Sequence, residues 1–235
     1  RDVLGSRGLG DVYKRQVFAD ADLFHVSGIT PVLSENARDI TFAALKSAKE
    51  HGVCISFDLN YRAKLWTEDV EEKQAMLREM IKYADICFGN ARDAAKCLGY
   101  SENGIDFING DYAICVDETH MSNVVKAYNL KYLVTTLRNS ISASDNGWSA
   151  AVCDGNTLYC GKQYDLHIID RVGGGDSFAS GFLHGITSGM SMEKSLEFAI
   201  AAAAIKHTIP GDINYIKEDE VLALMDSDGS GRVQR

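Results

Sequence analysis

Short apolar runs alternate along the chain with longer stretches whose apolar residues recur every three or four positions. Leu23-Phe24-His25-Val26 closes on Ser27-Gly28 and predicts a strand entering a turn. From Ser34 to His51, Ile40, Phe42, Ala43, Leu45 and Ala48 fall at helical spacing, with Ser34 as N-cap and Gly52 as the stop. Val53 to Asp58 is nearly continuously apolar, as in a parallel strand covered on both faces. Thr67 to Tyr83 predicts an acidic amphipathic helix through Met76, Leu77, Met80 and Ile81, and Ile86-Cys87-Phe88 a strand turning at Gly89-Asn90. Residues 104–129 read as a peripheral helix-and-loop insert with solvated acidic residues, in which Val124 to Tyr128 closes a short helix. Tyr132 to Arg138 predicts a buried strand. Trp148–Cys153 and Thr157–Gly161 flank Asp154-Gly155-Asn156, a strong hairpin signal. Ser177–Gly189 and the very apolar Met192–Thr208 predict two helices, Pro210-Gly211-Asp212 a turn, and Val221–Met225 a last short helix. This alternation predicts an α/β fold, doubly wound, with a mostly parallel sheet flanked by helices.

The candidate chemistry centres on Ile168 to Phe182. Gly173, Gly174 and Gly175 stand between a short apolar run and a helical pattern. Glycine permits a tight turn and close approach of a ligand. A helix starting there points unpaired N–H groups forward, where they suit a phosphate or the charge developing during phosphoryl transfer. Asp176 stands at the helix entrance, placed to accept a hydroxyl proton. The bland alternative is a glycine turn with Asp176 as an ordinary cap. No Gly-Lys-Ser/Thr follows, so this is not a Walker A loop.

Asp170-Arg171-Val172-Gly173-Gly174-Gly175-Asp176-Ser177-Phe178 closely resembles the C-terminal signature of the ribokinase-like (PfkB-type) sugar kinases, with Gly174 where that pattern has Ala. Asp58-Leu59-Asn60-Tyr61-Arg62-Ala63-Lys64-Leu65-Trp66 is similar to the Asp-x-Asn-x-Arg-x-x-Leu-Trp motif of the 2-keto-3-deoxygluconate kinases within that family. Spacing alone leaves Arg62 either gripping a carboxylate or pairing with Asp58 on a surface loop. The resemblance implies that Arg62, with Asp58 and Asn60, holds the carboxylate-bearing sugar. Asn90-Ala91-Arg92-Asp93 resembles the family's Asn-x-x-Glu motif, which implies a role for Asn90 and Asp93 toward Mg²⁺ and the phosphates; a helix cap is the parallel reading. Thr136-Leu137-Arg138 resembles a Thr-Leu-Gly turn beside the nucleotide, with Arg138 in place of Gly. The Met192–Thr208 helix resembles the one flanking the adenine pocket. His207 at its end reads as a cap-region histidine and, by resemblance, as part of the ATP site.

The resemblance implies transfer of the γ-phosphoryl group of ATP to the terminal hydroxyl of 2-keto-3-deoxygluconate. Asp176 would be the base, and the N–H groups of Gly173, Gly174 and Gly175 the anion hole. Asp170 would shape the loop and a monovalent-cation (K⁺) site nearby. Full-length relatives would be homo-oligomeric. A fructokinase or ribokinase of the same fold remains an alternative, as does an inactive fragment that only binds nucleotide.

Composition sharpens this little. A net charge of −9 over 235 residues argues against nucleic-acid binding, and no apolar run is long enough to cross a membrane. Six cysteines (54, 87, 97, 115, 153, 160) lack C-x-x-C spacing and read mostly as buried thiols of a cytoplasmic protein. Ser6 to Gln16 resembles a translated sequencing-library adapter, so residues 1–16 are expected to be non-native. Residues 17–225 are then the C-terminal portion of a kinase domain lacking its N-terminal strand and lid, and 226–235 a flexible tail. The tail's Asp226-Ser227-Asp228-Gly229 lacks the bidentate Glu of a calcium loop.

Overall fold

The computed structural model describes residues 17–98, 118–142 and 144–227. The expected non-native stretch, most of the acidic insert and most of the tail lie outside these residues. The chain divides into two compact units: Arg1–Asn103 with Asn123–Leu133, and Gly104–Ser122 with Val134–Arg235.

The first unit is built on parallel strands β1 (Leu23–Ser27), β2 (Cys54–Asp58) and β3 (Ile86–Phe88), in the order β1-β2-β3. Helix α1 (Glu35–Glu50) joins β1 to β2, and α2 (Val70–Ile81) joins β2 to β3. Right-handed crossovers between strands in sequential order place both helices on one face. The Ser34 hydroxyl accepts from Ala37 N at 3.2 Å, and Gly52 takes φ +71°, as the cap and stop residues predict. Helix α2 starts three residues later than expected. Asp69 adopts φ +52° there and turns the chain first, while Lys73 Nζ donates to Leu65 O and Glu68 O. Helix α3 (Ala91–Leu98) follows β3. Ile55, Phe57, Leu45, Leu77, Met80 and Ile81 are fully buried, each contributing about 1.5–3 kcal/mol of apolar burial. Asp85 ties the sheet together: its Oδ2 accepts Ile55 N at 2.9 Å, and its carbonyl accepts Lys131 N and Tyr132 N.

Helix α4 (Glu118–Tyr128) and strand β4 (Tyr132–Ser140) run from one unit's residues into the other's. The second unit carries β4, β5 (Asp145–Cys153), β6 (Leu158–Cys160) and β7 (Tyr164–His167). Strand β5 pairs antiparallel with β6 along one half and with β7 along the other. The Asp-Gly hairpin is as expected: Asp154 Oδ1 accepts Asn156 N and Thr157 N, and Gly155 has φ +91°. Strand β7 is unexpected; Tyr164-Asp165-Leu166-His167 alternates apolar and polar residues, but over four positions only, the lower limit at which alternation marks a strand.

Helices α5 (Gly174–Thr187), α6 (Met192–Lys206) and α7 (Glu218–Asp226) complete the unit. Helices α5 and α6 approach closely because two glycines one turn apart face them. A Cβ on Gly181 would lie 2.9 Å from Ala199 Cα, and one on Gly185 would lie 2.8 Å from Ser195 Cα. Among the described residues no helix is long and apolar enough to cross a membrane. Cys87, Cys97 and Cys153 are buried as expected, Cys54 is half-buried and Cys160 is exposed. Gly185→Val is expected to lower folding stability by about 2 kcal/mol, because the new group meets the Cα and Cβ of Ser195, which cannot swing aside, as well as its hydroxyl. An unchanged urea midpoint would show that α5 and α6 can separate freely.

Candidate active site

In the first unit the candidate residues gather where β1 and β2 end. Gly28 N donates to Asp58 O at 2.7 Å, and Asp58 Oδ1 accepts Asn60 N at 3.0 Å. Asn60 takes φ +45°, a conformation Asn tolerates, and its Nδ2 donates to Ser27 Oγ. The two strand ends are thereby laced together. Beyond them Tyr61 packs on buried Trp66, ring centroids 5.7 Å apart, which anchors the segment. Arg62 between them is exposed and donates through Nη1 to Tyr61 O at 3.0 Å. The ion pairs among the described residues do not include one joining Arg62 to Asp58.

Asn90 and Asp93 form a reciprocal cap at the start of α3. Asp93 N donates to Asn90 Oδ1 at 2.9 Å, and Asn90 N donates to Asp93 Oδ2 at 3.2 Å. This is a capping box with Asn and Asp in the usual Ser/Thr and Glu places. Asp58 and Asp93 share surroundings. Burial pushes the Cys97 thiol far up, with Asp93 and then Asp58 adding to it, and both carboxylates act on Cys87 in the same direction. Among the described residues no group of three or more His, Cys, Asp or Glu side chains is placed to hold a metal. Mg²⁺ of the kind that takes most of its ligands from phosphates and water needs only one or two protein carboxylates, and Asp93 is a carboxylate at the start of α3.

In the second unit Gly173 is the N-cap of α5 at φ +75°, ψ 0°. A Cβ there would lie 2.7 Å from Asp212 O, so only glycine fits on both counts. The helix begins at Gly174, not at Ser177 as the pattern predicts. The glycines are poor helix formers and read as turn, but the left-handed cap at Gly173 lets the next two start the helix. Ser177 N donates to Gly173 O at 2.8 Å. Gly174 N donates to Arg171 O at 3.3 Å, which takes one of the three expected anion-hole donors. The N–H groups of Gly175 and Asp176, second and third in the helix, have no backbone partner among the described residues. The exposed Asp176 side chain therefore sits in the turn that presents them.

Asp170 braces the loop from behind. Its Oδ1 accepts Val172 N at 3.0 Å and its Oδ2 accepts Gly211 N at 2.8 Å. These two bonds hold its carboxyl below the usual carboxylate range, and Lys206 adds to the effect.

Thr136 and Arg138 do not form a turn. Strand β4 runs through them to Ser140, and the Arg138 guanidinium lies 5.9 Å from the Trp148 ring centroid. The β-branched Thr135-Thr136 pair continues the ladder where a glycine would have broken it. His207 caps α6: Ile169 N and Asp170 N donate to its carbonyl, and its Nδ1 bonds Ala203 O at 2.6 Å. Burial holds its imidazole below its ordinary pKa. The ring packs 4.8 Å from Trp148 and against Gly174, where a Cβ would meet its Cε1 at 2.7 Å. So the glycine that departs from the usual Ala leaves the space His207 fills.

Sequence reasoning missed Trp148, the Asn214 Nδ2 to Ser177 Oγ bond of 2.6 Å, and Lys206, which is fully buried. Lys206 carried a signal: it is a lone cation ending an otherwise apolar turn, Ala201 to Ile205. Gly174→Ala is expected to destabilise by about 1–3 kcal/mol, and His207→Ala by a similar amount through its cavity. The double variant is expected to cost well under the sum of the two. Additivity within about 0.5 kcal/mol in denaturant titrations would mean that the two sites do not compete for space.

A model of the pfkB family carbohydrate kinases matches residues 6–219. A 2-dehydro-3-deoxygalactonokinase of Haloferax volcanii is 30% identical over 205 residues, 87% of this chain and 57% of that protein. A 2-dehydro-3-deoxygluconokinase of Bacillus subtilis is 26% identical over 212 residues, 90% of this chain and 58% of that protein. The crystal structure of a 2-dehydro-3-deoxygluconokinase from Thermotoga maritima superposes with a TM-score of 0.83 at 39% identity, covering 91% of this chain and 62% of that one. The chain thus spans less than two thirds of the length of these relatives.

Proposed function

Because the chain belongs to the pfkB family of carbohydrate kinases, we propose that the whole protein transfers the γ-phosphoryl group of ATP to the terminal hydroxyl of 2-keto-3-deoxygluconate (2-dehydro-3-deoxygluconate). The observation that carries this reading is the start of α5. There a left-handed glycine cap, two open N–H groups and an exposed carboxylate follow one another within four residues.

Phosphoryl transfer asks a protein mainly for positioning and for stabilisation of charge on the phosphoryl oxygens. The N–H groups of Gly175 and Asp176 serve that charge, with the helix dipole behind them. The Asp176 carboxylate accepts the proton of the attacking hydroxyl. Mg²⁺, when bound with ATP, neutralises phosphate charge; Asp93 and Asn90 would hold it through its waters. Arg62 grips the sugar-acid carboxylate with its remaining N–H groups, on a segment held by Trp66 and Asn60. His207, Arg138 and Thr136 belong in this reading to the nucleotide side. The scattered free thiols support a reducing, cytoplasmic setting.

The Haloferax relative is named for the galacto epimer of the same sugar acid. Arg62 reads the carboxylate that both epimers share, so 2-keto-3-deoxygalactonate is the second substrate to test.

The test is coupled ATP turnover by the full-length protein with both sugar acids, fructose and ribose. Sugar acids are expected to turn over and the neutral sugars not; the reverse preference would remove Arg62 from substrate binding. Asp176→Asn is expected to lower kcat by about 10²–10⁴-fold with the KM for ATP nearly unchanged. Retained turnover would exclude Asp176 as the base. Arg62→Ala is expected to raise KM for the sugar acid by about 10–100-fold, the worth of a charge-assisted pair of hydrogen bonds, while sparing the KM for ATP. An effect on ATP alone would contradict its role.

A further inference from the structure

Lys206 is the last residue of α6 and is fully buried. Its Nζ donates to Gly211 O at 2.7 Å and to Ile209 O at 3.1 Å. The loop 209–212 therefore curls round the ammonium and turns its carbonyls inward. Gly211, at φ +85°, also donates its N–H to Asp170 Oδ2 at 2.8 Å. The same peptide segment thus receives a positive charge on its carbonyl side and a negative one on its amide side. Beside the Lys206 stem lies the cap of α5: a Cβ on Gly173 would come within 3.3 Å of Lys206 Cε.

Converging backbone carbonyls with a carboxylate nearby are the donor set of a monovalent-cation site. An ammonium carries the same charge and prefers the same oxygen partners, but brings its own tether. Here the position is taken by a side chain. A free K⁺ at the same carbonyls would meet Nζ, a like charge, in its own coordination shell. The residues present therefore do not fit the monovalent cation that the family resemblance implies.

We infer that Lys206 is the built-in cation of the Gly-rich loop, a positioning residue whose ammonium holds Gly211, Asp170 and through them the start of α5, so that this protein works without K⁺. The statement about catalysis rests on the phosphoryl-transfer reading above; the statement about the cation does not.

The experiment compares full-length wild type, Lys206→Ala and Lys206→Met in tetramethylammonium chloride and in equal concentrations of KCl or NH₄Cl. Melting temperature and turnover are both read. For wild type, neither is expected to change between salts. Lys206→Ala is expected to melt several degrees lower in tetramethylammonium. K⁺ or NH₄⁺ should raise its melting temperature by about 3–6 °C, as occupancy about tenfold above Kd does in a domain of this size, and should recover turnover. Lys206→Met fills the space without the charge and is expected to show no such recovery. A rise in wild-type melting temperature or turnover with K⁺ would overturn the inference, and so would a folded Lys206→Ala indifferent to cation. If Lys206→Ala does not fold in any of the salts, the wild-type comparison alone decides. Absent turnover with every sugar, together with the expected melting pattern, would remove the kinase reading and leave the cation role standing.

Discussion

A buried ammonium has no solvent to return to, and the second unit is arranged round that fact. Nothing inside a protein compensates such a charge except oxygen atoms aimed at it, and Lys206 draws two carbonyls of one loop onto itself. Drawing them in fixes the opposite, amide side of the same loop, which is where Asp170 finds Gly211 N. Asp170 in turn accepts Val172 N, one residue before the glycine cap. The left-handed conformation of Gly173 is then the natural continuation of a chain already held on both flanks. The open N–H groups of α5 follow from a sequence of bonds that begins at a buried side chain beside the cap.

The chemistry-bearing residues of both units share this feature. They are positioned mostly by bonds from side-chain oxygens to backbone amides. Asn60 is set by Asp58 and Ser27, Asn90 and Asp93 cap each other's N–H groups, and Asp170 grips two amides. Such bonds restrain loops, and each carboxylate oxygen has more than one lone pair to offer. A helix cap and a ligand to hydrated Mg²⁺ are therefore compatible duties for Asp93. The two readings of Asn-x-x-Asp compete in sequence but not in chemistry.

Much of the architecture was legible because it follows from periodicity. Strands β1 to β4, the Asp-Gly hairpin and helices α1, α2, α5 and α6 stand close to where apolar spacing places them. What failed to read is equally physical. Strand β7 is too short for its alternation to stand out, and it pairs with the half of β5 that β6 leaves open. The start of α5 lies in a run of glycine, the residue least inclined to helix, and it is set by a cap whose support comes from Asp212 and Lys206, some thirty positions on. Strand β4 continues through Arg138 because a side chain, unlike the glycine of the related motif, gives the backbone no reason to turn. The motif residues of the candidate site were legible by resemblance. Their supports were not, since Trp148 and Asn214 act through partners distant in sequence and Lys206 through the fold of a loop that periodicity does not show.

Gly174 joins these observations. A methyl at this position and a ring at position 207 are alternatives for one volume, so the departure from Gly-Ala-Gly is half of a pair. The other half, His207, cannot leave easily: its carbonyl accepts from Ile169 and Asp170, and its ring rests on Trp148. The imidazole thus links the strand that carries Trp148 to the first turn of the helix that carries Asp176. Glycine in place of the signature's Ala leaves the loop more pliable in backbone terms, since glycine loses more freedom on folding. Filling the vacated space with a packed aromatic ring restores the constraint from the side. The first turn of α5 is in this chain constrained by the packing of His207, where the family signature has a methyl within the turn.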